Sequence, residues 1–254
     1  MVLHKRVLLL PHHKQISNTM AKKELIETEV GNLFQNSPRK SMSTKCHVGF
    51  RFLEGKNLRL CNDWVESVDG VLKITYYDDF IIPEFISING ENYGVTEIGE
   101  CTFIKSMESL YIPASVSKID NYAFTYIPNS PTLKIQVSKD NRFYDSRENC
   151  NAIIETKTDK MICACKNSVI PKSVKVIGKN SFEGCTIENV IIPNAIVEIE
   201  SEAFLLCKSL KAVTINNKEA RVHKLAFEQE VLINGKPRDY WMPIEGDYLD
   251  LQRN

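Results

Sequence analysis

Short apolar runs alternate with polar turns along most of the chain. CHVGFRF at 46–52 and VLKITYYDDFIIP at 71–83 are rich in β-branched and aromatic residues, which is typical of strands. Further on, LYI at 110–112, VII at 190–192 and VTI at 213–215 each precede a polar turn. The pattern predicts a chain built mainly from short strands.

One pattern recurs at regular spacing after residue 80. An isoleucine, which we call the corner residue, is followed five residues later by phenylalanine. In three copies an Ile-Pro step places proline six residues before this corner residue. The positions are Ile98, Ile119, Ile177 and Ile199; Phe103, Phe124, Phe182 and Phe204; and Pro113, Pro171 and Pro193. The isoleucine spacings of 21, 58 and 22 contain a period of 20 to 29 residues, which is typical of leucine-rich repeats.

These repeats predict an α/β repeat fold, a leucine-rich-repeat solenoid. Each coil places one short strand in a parallel sheet on one face, and the IGxxAF segment makes a single helical turn on the other face. The isoleucines and phenylalanines of the repeats form the predicted structural core, because one coil cannot bury its apolar side alone. The corner isoleucines are expected to align in a single file.

The chain also divides into regions. Residues 1–45 are predicted to be a flexible basic arm, 46–93 a β cap, 94–227 the repeats, and 228–254 a C-terminal cap or tail. Two β-hairpin insertions are predicted, one around Asn89-Gly90 and one at about 138–167. The second explains the 58-residue spacing, since NAIIET and KMICAC flank TKTD there.

The repeat residues resemble the BspA-like leucine-rich repeats of bacterial cell-surface proteins. The shared motif is IPxSVxxIGxxAFxxCxxLxxIxIP, which occurs here as IPASVSKIDNYAF, IPKSVKVIGKNSFEGC and IPNAIVEIESEAFLLCKSLKAVTI. The resemblance covers roughly residues 80–227, and Asp120 and Glu200 stand where the family usually has glycine. It implies adhesion to proteins, or recognition of a surface glycan, at a bacterial surface.

Charge and hydropathy exclude some classes of partner. The formal net charge is zero, so bulk electrostatics gives no reason to expect a nucleic-acid partner. The arm carries eight Lys or Arg against three Glu, which is typical of a solvated tail. No apolar run approaches the ~20 residues of a membrane span. The apolar stretch Val7–Leu10 is too short for a convincing export signal, so a cytoplasmic location stays open beside the surface.

Motifs for catalysis are not found in the sequence. No phosphate-binding loop, GxGxxG or GxSxG occurs, and the histidines lack metal-binding spacing. A calcium site is a weaker hypothesis, since Asp140, Asp145 and Glu148, with Asn141 and Asn149, lack the ordered spacing of an EF-hand and its central Gly. The eight cysteines are expected to be packed thiols. The sequence therefore predicts no enzyme, no cofactor and no metal.

A surface is the remaining candidate site. In a strand, the residue between two inward-facing positions faces outward. Applied coil by coil, that rule predicts one stripe across the sheet: Ile81, Tyr111, Gln136, Val169, Ile191 and Thr214. Four of the six are apolar, which favours a binding face, although β-branched residues also simply suit strands and the arm is an alternative cover. We therefore expect a non-enzymatic protein-binding module at the cell surface, or alternatively an intracellular interaction scaffold. Neither the ligand nor the oligomeric state follows from the sequence.

Overall fold

The structure, a computed structural model, describes residues 4–8, 25–30, 46–62, 71–76, 79–88, 90–100, 102, 107–124, 132–243 and 246–253. Short strands make up most of its regular structure. In chain order they are His4–Leu8 (β1), Leu25–Val30 (β2), Cys46–Phe52 (β3), Asn57–Asn62 (β4), Val71–Tyr76 (β5), Asp79–Ile81 (β6), Phe85–Ile88 (β7), Glu91–Ile98 (β8), Ser109–Ile112 (β9), Lys118–Ile119 (β10), Lys134–Val137 (β11), Tyr144–Asp145 (β12), Ile153–Glu155 (β13), Lys160–Cys163 (β14), Val176–Ile177 (β15), Asn189–Ile192 (β16), Glu198–Ile199 (β17), Ala212–Ile215 (β18), Arg221–Val222 (β19), Leu232–Ile233 (β20) and Lys236–Pro237 (β21).

From β9 onwards the chain alternates between two sides of a β-solenoid. On one side, β6, β9 and β11 form a parallel sheet, and β16, β18 and β20 form a second, which β21 extends antiparallel. We call these the front sheets. On the other side, β10 pairs with β8, and β14, β15, β17 and β19 pair in parallel, which we call the back sheets. The predicted repeat solenoid is confirmed, with successive coils pairing strand on strand.

The repeats lack the single helical turns that the sequence predicts. Among the described residues there is no α-helix, and the helical segments are 3-10 turns at Arg147–Asn149 and Arg238–Trp241. Three residues after the corner, Tyr122, Asn180 and Glu202 have φ angles of 61°, 58° and 59°. Left-handed residues at this position end any right-handed helix before it completes a turn.

Backbone bonds between coils replace the missing helical bonds. The N–H of Phe182 donates to the carbonyl of Ala203, and that of Phe204 to Ala226, both at 2.9 Å. Each of these N–H groups therefore bonds to a carbonyl of the next coil and not to a carbonyl of its own coil. The sequence motif specifies the turn, but stacking decides its backbone conformation.

The phenylalanines form the centre of this stack. Phe182 and Phe204 lie with ring centroids 4.7 Å apart, and Phe204 and Phe227 with centroids 4.9 Å apart. All three rings are buried, as is Phe124. Phe103 lies outside the described residues. Ring stacking therefore ties each late coil to its neighbour across the interior.

The corner residues align in two files, not in the single file expected. Ile98 lies beside Ile119 in the first file. The second runs through Met161, Ile177, Ile199 and Val222. Between the files stand β12 and β13, which pair antiparallel with each other, and β13 also pairs antiparallel with β14. Ile98, Ile177 and Ile199 are fully buried, whereas Ile119, at the break, is half-buried.

Both predicted hairpins are present. β7 and β8 pair antiparallel around Gly90, whose φ of 80° suits the tight turn. β13 and β14 pair antiparallel within the longer insert. Because β13 and β14 belong to the back sheets, the insert replaces part of one coil there rather than hanging from its surface.

The N-terminal region forms an eight-stranded sheet in the order β1-β2-β7-β8-β4-β3-β5, with β10 on β8. The sequence predicts residues 1–45 to be a flexible arm, but β1 and β2 lie within them as an antiparallel pair, and β2 pairs with β7. Neither HKRVL nor LIETEV alternates strictly between polar and apolar residues, so the sequence does not indicate these strands.

The C-terminal segment packs onto the last coil. Trp241, Leu249 and Leu251 are buried in the same cluster as the late repeats. The indole N–H of Trp241 donates to the carbonyl of Ile233 at 2.8 Å, and the N–H of Leu249 donates to Val222 at 2.8 Å. A capping role for residues 228–254, and for 46–93 at the other end, stays a prediction.

Candidate binding face

The register of the front sheets brings predicted stripe residues side by side. Tyr111 lies between Ile81 and Gln136 in adjacent strands. Ile191 lies beside Thr214 in the second sheet. Val169 belongs to the coil between the two sheets, outside any strand, and its N–H donates to the carbonyl of Cys150 at 2.9 Å. The front surface therefore consists of two registered groups and an intervening loop residue.

Exposure is uneven along this surface. Ile191 is 68% exposed and Val169 66% exposed, the two largest values among the exposed large apolar residues. Gln136 and Thr214 are exposed, whereas Ile81 and Tyr111 are half-buried. The apolar character is therefore concentrated around Val169 and Ile191.

Leu232 extends this apolar area and is not among the residues that the sequence predicts. It is 42% exposed and lies beside Ala212 in the register of β18 and β20, on the same outer face as Thr214. Its neighbours Val231 and Ile233 are buried. The alternation in VLI resembles that in VTI and is the signal that identifies Leu232 as outward-facing. We call Val169, Ile191 and Leu232 the apolar patch.

The backbone beneath the patch is firmly held. Val213 and Ile215 are buried directly under the outer face. The side-chain oxygen of Asn234 accepts the N–H of Ile215 at 2.8 Å. Pro237 in the last strand, β21, has no N–H to offer, so this sheet edge is poorly suited to further strand pairing. Ile191 and Leu232 thus lie on strands of a packed sheet, whereas Val169 lies in the coil that precedes that sheet in the chain.

The candidate calcium residues have other partners. The amide nitrogen of Asn141 donates to the carbonyls of Pro113 and Val116, at 2.7 and 2.9 Å. The Arg147 guanidinium lies 2.6 Å from Asp145 and 2.6 Å from Asp159. Burial acts to raise the pKa of Asp145, but bonds from Arg147 outweigh it, and the pKa lies below its ordinary value. Among the described residues, no group of three His, Cys, Asp or Glu is arranged to hold a metal ion.

The described cysteines of the repeats are buried free thiols. Burial raises the pKa of Cys150 to about 11 and that of Cys207 to about 12. Burial also raises the pKa of Cys163 and Cys185. The thiol of Cys207 donates to the carbonyl of Phe182, with 3.0 Å between sulfur and oxygen. A thiol with a raised pKa is a weak nucleophile at neutral pH, so these residues act in packing.

Two slots that usually hold glycine carry ion pairs instead. Asp120 pairs with Arg59. Glu200 accepts from Lys160 at 2.7 Å and from the backbone N–H of Lys179 at 2.8 Å. Asp120 therefore connects the end of β10 to β4, and Glu200 connects the end of β17 to β14 and to the turn after β15.

A family model described as "BspA type Leucine rich repeat region (6 copies)" matches residues 80–162 and 154–235, which is more than half of the 254 residues. The chain belongs to this family. The resemblance found in the repeat motif is thereby confirmed, and the matched range ends just beyond Leu232.

Solved structures of bacterial leucine-rich repeat proteins are similar to parts of the chain. A protein from Eubacterium ventriosum is 21% identical with a TM-score of 0.40, over 57% of this chain and 43% of that one. One from Bacteroides ovatus is 20% identical with a TM-score of 0.37, over 69% and 45%. A leucine-rich cell surface protein from Faecalibacterium prausnitzii is 18% identical with a TM-score of 0.33, over 56% and 52%.

The match spans about half the length of those proteins or less. Their TM-scores are too low to support conclusions about this chain's binding. No curated protein matches the chain significantly. In the part of the chain that the structure describes, no helix is long and apolar enough to cross a membrane.

Proposed function

We propose that the protein is a non-enzymatic binding module that recognises another protein through the apolar patch on its front sheets. The observation that carries this proposal is the exposure of Val169, Ile191 and Leu232 on a face whose underlying residues are fully packed. Apolar side chains gain free energy when a partner covers them. Solenoid repeats commonly present such extended surfaces for recognition.

The composition of the patch favours a protein over a glycan. Sugar hydroxyls need several fixed donors and acceptors, whereas the outer positions of β18 are Ala212 and Thr214 and the neighbouring strands add Ile191 and Leu232. Lys211 and Glu188, which directly precede β18 and β16, form an exposed pair at 3.2 Å. A partner with an apolar centre and a polar rim would match this arrangement.

For location, we propose the surface of a bacterial cell. Membership of the BspA-type family supports this, since the family is known from bacterial surface proteins. An intracellular scaffold is the alternative. Protease treatment of intact cells distinguishes the two, because digestion of the protein without lysis would place it outside and protection would place it inside.

The binding proposal is tested with lysine substitutions. A partner is first captured from cell-surface extracts, identified and purified, and its affinity is then measured by calorimetry. Ile191→Lys and Val169→Lys each bury a charge in the interface and should weaken binding by about tenfold or more. Tyr111→Lys, at the half-buried end of the stripe, should have a smaller effect.

Matched controls come from apolar residues away from the front sheets. Val197 is 50% exposed and Leu225 51% exposed, so their lysine variants change the same surface property elsewhere. These variants should bind normally. Unchanged affinity of a folded Val169→Lys, Ile191→Lys, Leu232→Lys triple variant would remove the patch from consideration.

A further inference from the structure

The break between the two files of corner residues encloses a pocket in the back sheets. It lies between the turn at 119–124 and the turn at 178–180, with Tyr144, Glu155, Lys160 and Glu200 also lining it. Its volume is about 100 Å³. That is more space than one ordered water needs, so the pocket has room for a small polar group.

The hydrogen-bond ladder of the back sheets is interrupted at this pocket. Elsewhere the carbonyl of each corner residue accepts an N–H from the next coil. The bonds run from Gly99 to Leu60, Asp120 to Ile98, Gly178 to Met161, Glu200 to Ile177, His223 to Ile199 and Leu249 to Val222. No described residue donates to the carbonyl of Ile119. Its N–H instead donates to the phenolic oxygen of Tyr144 at 2.9 Å.

The charges around the pocket leave one carboxylate without a cation. Lys160 lies 2.7 Å from Glu200, and Lys179 lies 3.3 Å from Glu202. Asp120 pairs with Arg59, as described above. Glu155 accepts a hydrogen bond from the hydroxyl of Thr158, but no described Lys or Arg forms an ion pair with it. Glu155 is therefore the one lining carboxylate without an ion pair among the described residues, although Lys160 lies opposite it in the register of β13 and β14. Both ammonium groups of the pocket pair with other carboxylates.

Asn180 contributes a polar turn to the same wall. Its amide nitrogen donates to Glu183 at 3.0 Å, which fixes the orientation of the amide. The amide oxygen receives no hydrogen bond from the described residues but has almost no accessible surface, so a group in the pocket would contact the carbonyl of Ile119 and the carboxylate of Glu155 instead.

We propose that this pocket binds a single ammonium or guanidinium group. The carbonyl of Ile119 and the carboxylate of Glu155 are both acceptors, so the matching ligand group carries several N–H donors and a positive charge. An anion would have to displace Lys160 or Lys179 from its carboxylate. The site lies on the back sheets and is independent of the apolar patch.

The experiment uses small amines and matched neutral compounds. The full-length protein, labelled with ¹⁵N, is titrated with ethylguanidine, n-butylamine, N-acetyl-arginine methylamide and the uncharged N-acetyl-citrulline methylamide, up to about 50 mM. We expect the cations to shift the amide signals of Gly178, Lys179 and Asn180. They should bind at least about fivefold more tightly than the citrulline compound, and added salt should weaken them.

A second experiment substitutes the carboxylate of Glu155. Glu155→Gln keeps the shape of the side chain and should weaken cation binding by about fivefold or more. Glu188→Gln removes an exposed carboxylate far along the chain and should leave binding unchanged. Thermal melts establish that both variants are folded.

The outcomes separate the sources of the ligand group. Binding of ethylguanidine or butylamine shows that the free group suffices, whereas binding of the arginine derivative alone points to a side chain of a partner protein; either result supports the site. Three results overturn it: no shifts with any cation, equal binding of the citrulline compound, or unchanged affinity in folded Glu155→Gln.

Discussion

Two stretches of the solenoid differ in how completely the backbone hydrogen-bonding groups of each coil find partners in the next coil. From residue 170 to residue 233, every corner carbonyl is bonded, the phenylalanine rings stack, and the described thiols are buried. From residue 119 to residue 162, a side-chain hydroxyl replaces one backbone partner and the carbonyl of Ile119 is left without a described donor. In the regular repeats, the backbone polar groups of the corners bond to one another. The insertion leaves the carbonyl of Ile119 without such a partner, so that it is available to a ligand.

The difference also has an energetic side. In the regular stretch, stability comes from apolar contacts repeated coil after coil, as expected for a linear array. In the interrupted stretch, single polar contacts made by Tyr144 and Asn141 hold the chain where the repeat fails. The two stretches should therefore respond differently to substitution.

The largest effect is expected in the regular stretch. Phe204 is fully buried between Phe182 and Phe227, so Phe204→Ala removes two ring contacts and leaves a cavity. We expect a loss of about 3 to 5 kcal/mol in the free energy of unfolding, measured by chemical denaturation. Phe143→Ala, at a 49% exposed ring, is the matched control and should change little. A loss below about 1 kcal/mol for Phe204→Ala would contradict the stacked core.

A smaller effect is expected at the break. Tyr144→Phe removes the hydroxyl that accepts the N–H of Ile119 and leaves that N–H without a partner. The expected loss in the free energy of unfolding is about 1 to 3 kcal/mol. Tyr93→Phe, whose exposed hydroxyl contacts Glu91 at 3.3 Å, serves as the control and should be nearly neutral. Equal losses of stability in Tyr144→Phe and Tyr93→Phe would show that the Tyr144 hydroxyl does not bridge the two files of corner residues.

A third effect appears only at alkaline pH and is a slope rather than a single loss of stability. Burial raises the pKa of Cys207 from 9.0 to about 12, and burial raises that of Tyr144 from 10.0 to about 12. The neutral forms are favoured in the folded state, so each contribution is complete below the unfolded pKa and is lost as pH rises towards the folded one. Each group adds a slope of at most about 1.4 kcal/mol per pH unit.

Single variants assign these slopes to the two stretches. Cys207→Ala should flatten the fall in the free energy of unfolding between pH 9 and 12, and Tyr144→Phe should flatten it between pH 10 and 12. Denaturation midpoints measured at each pH provide the test. A variant with the same slope as the parent protein would show that its group keeps an ordinary pKa.

Much of the fold follows from local pattern, and the errors have identifiable causes. The period of the corner isoleucines predicts the solenoid, and the proline and turn residues predict the strand ends. The absence of helical turns was not predictable from IGxxAF, because the N–H of Phe182 can bond within its own turn or to the next coil, and only the stacked structure selects Ala203. Strand β2 was missed because LIETEV alternates too weakly to be distinguished from a helix.

For the candidate sites, the predictable part is the outward direction of side chains in strands. Ile191 and Thr214 follow from alternation, and Leu232 follows by the same rule once β20 is recognised. The pocket does not follow from any local pattern, because Ile119, Glu155 and Asn180 are far apart in the chain and come together only when the insert replaces part of a coil.

The sequence by itself determines that this protein is a stack of similar coils, because a fixed spacing of isoleucine, phenylalanine and proline leaves each coil with an apolar side that only its neighbours can cover. The tertiary structure decides where the stack is incomplete. Whether a backbone group meets a partner depends on which segment lies beside it in space, and the chain places an antiparallel hairpin beside Ile119 where another repeat would have closed the ladder.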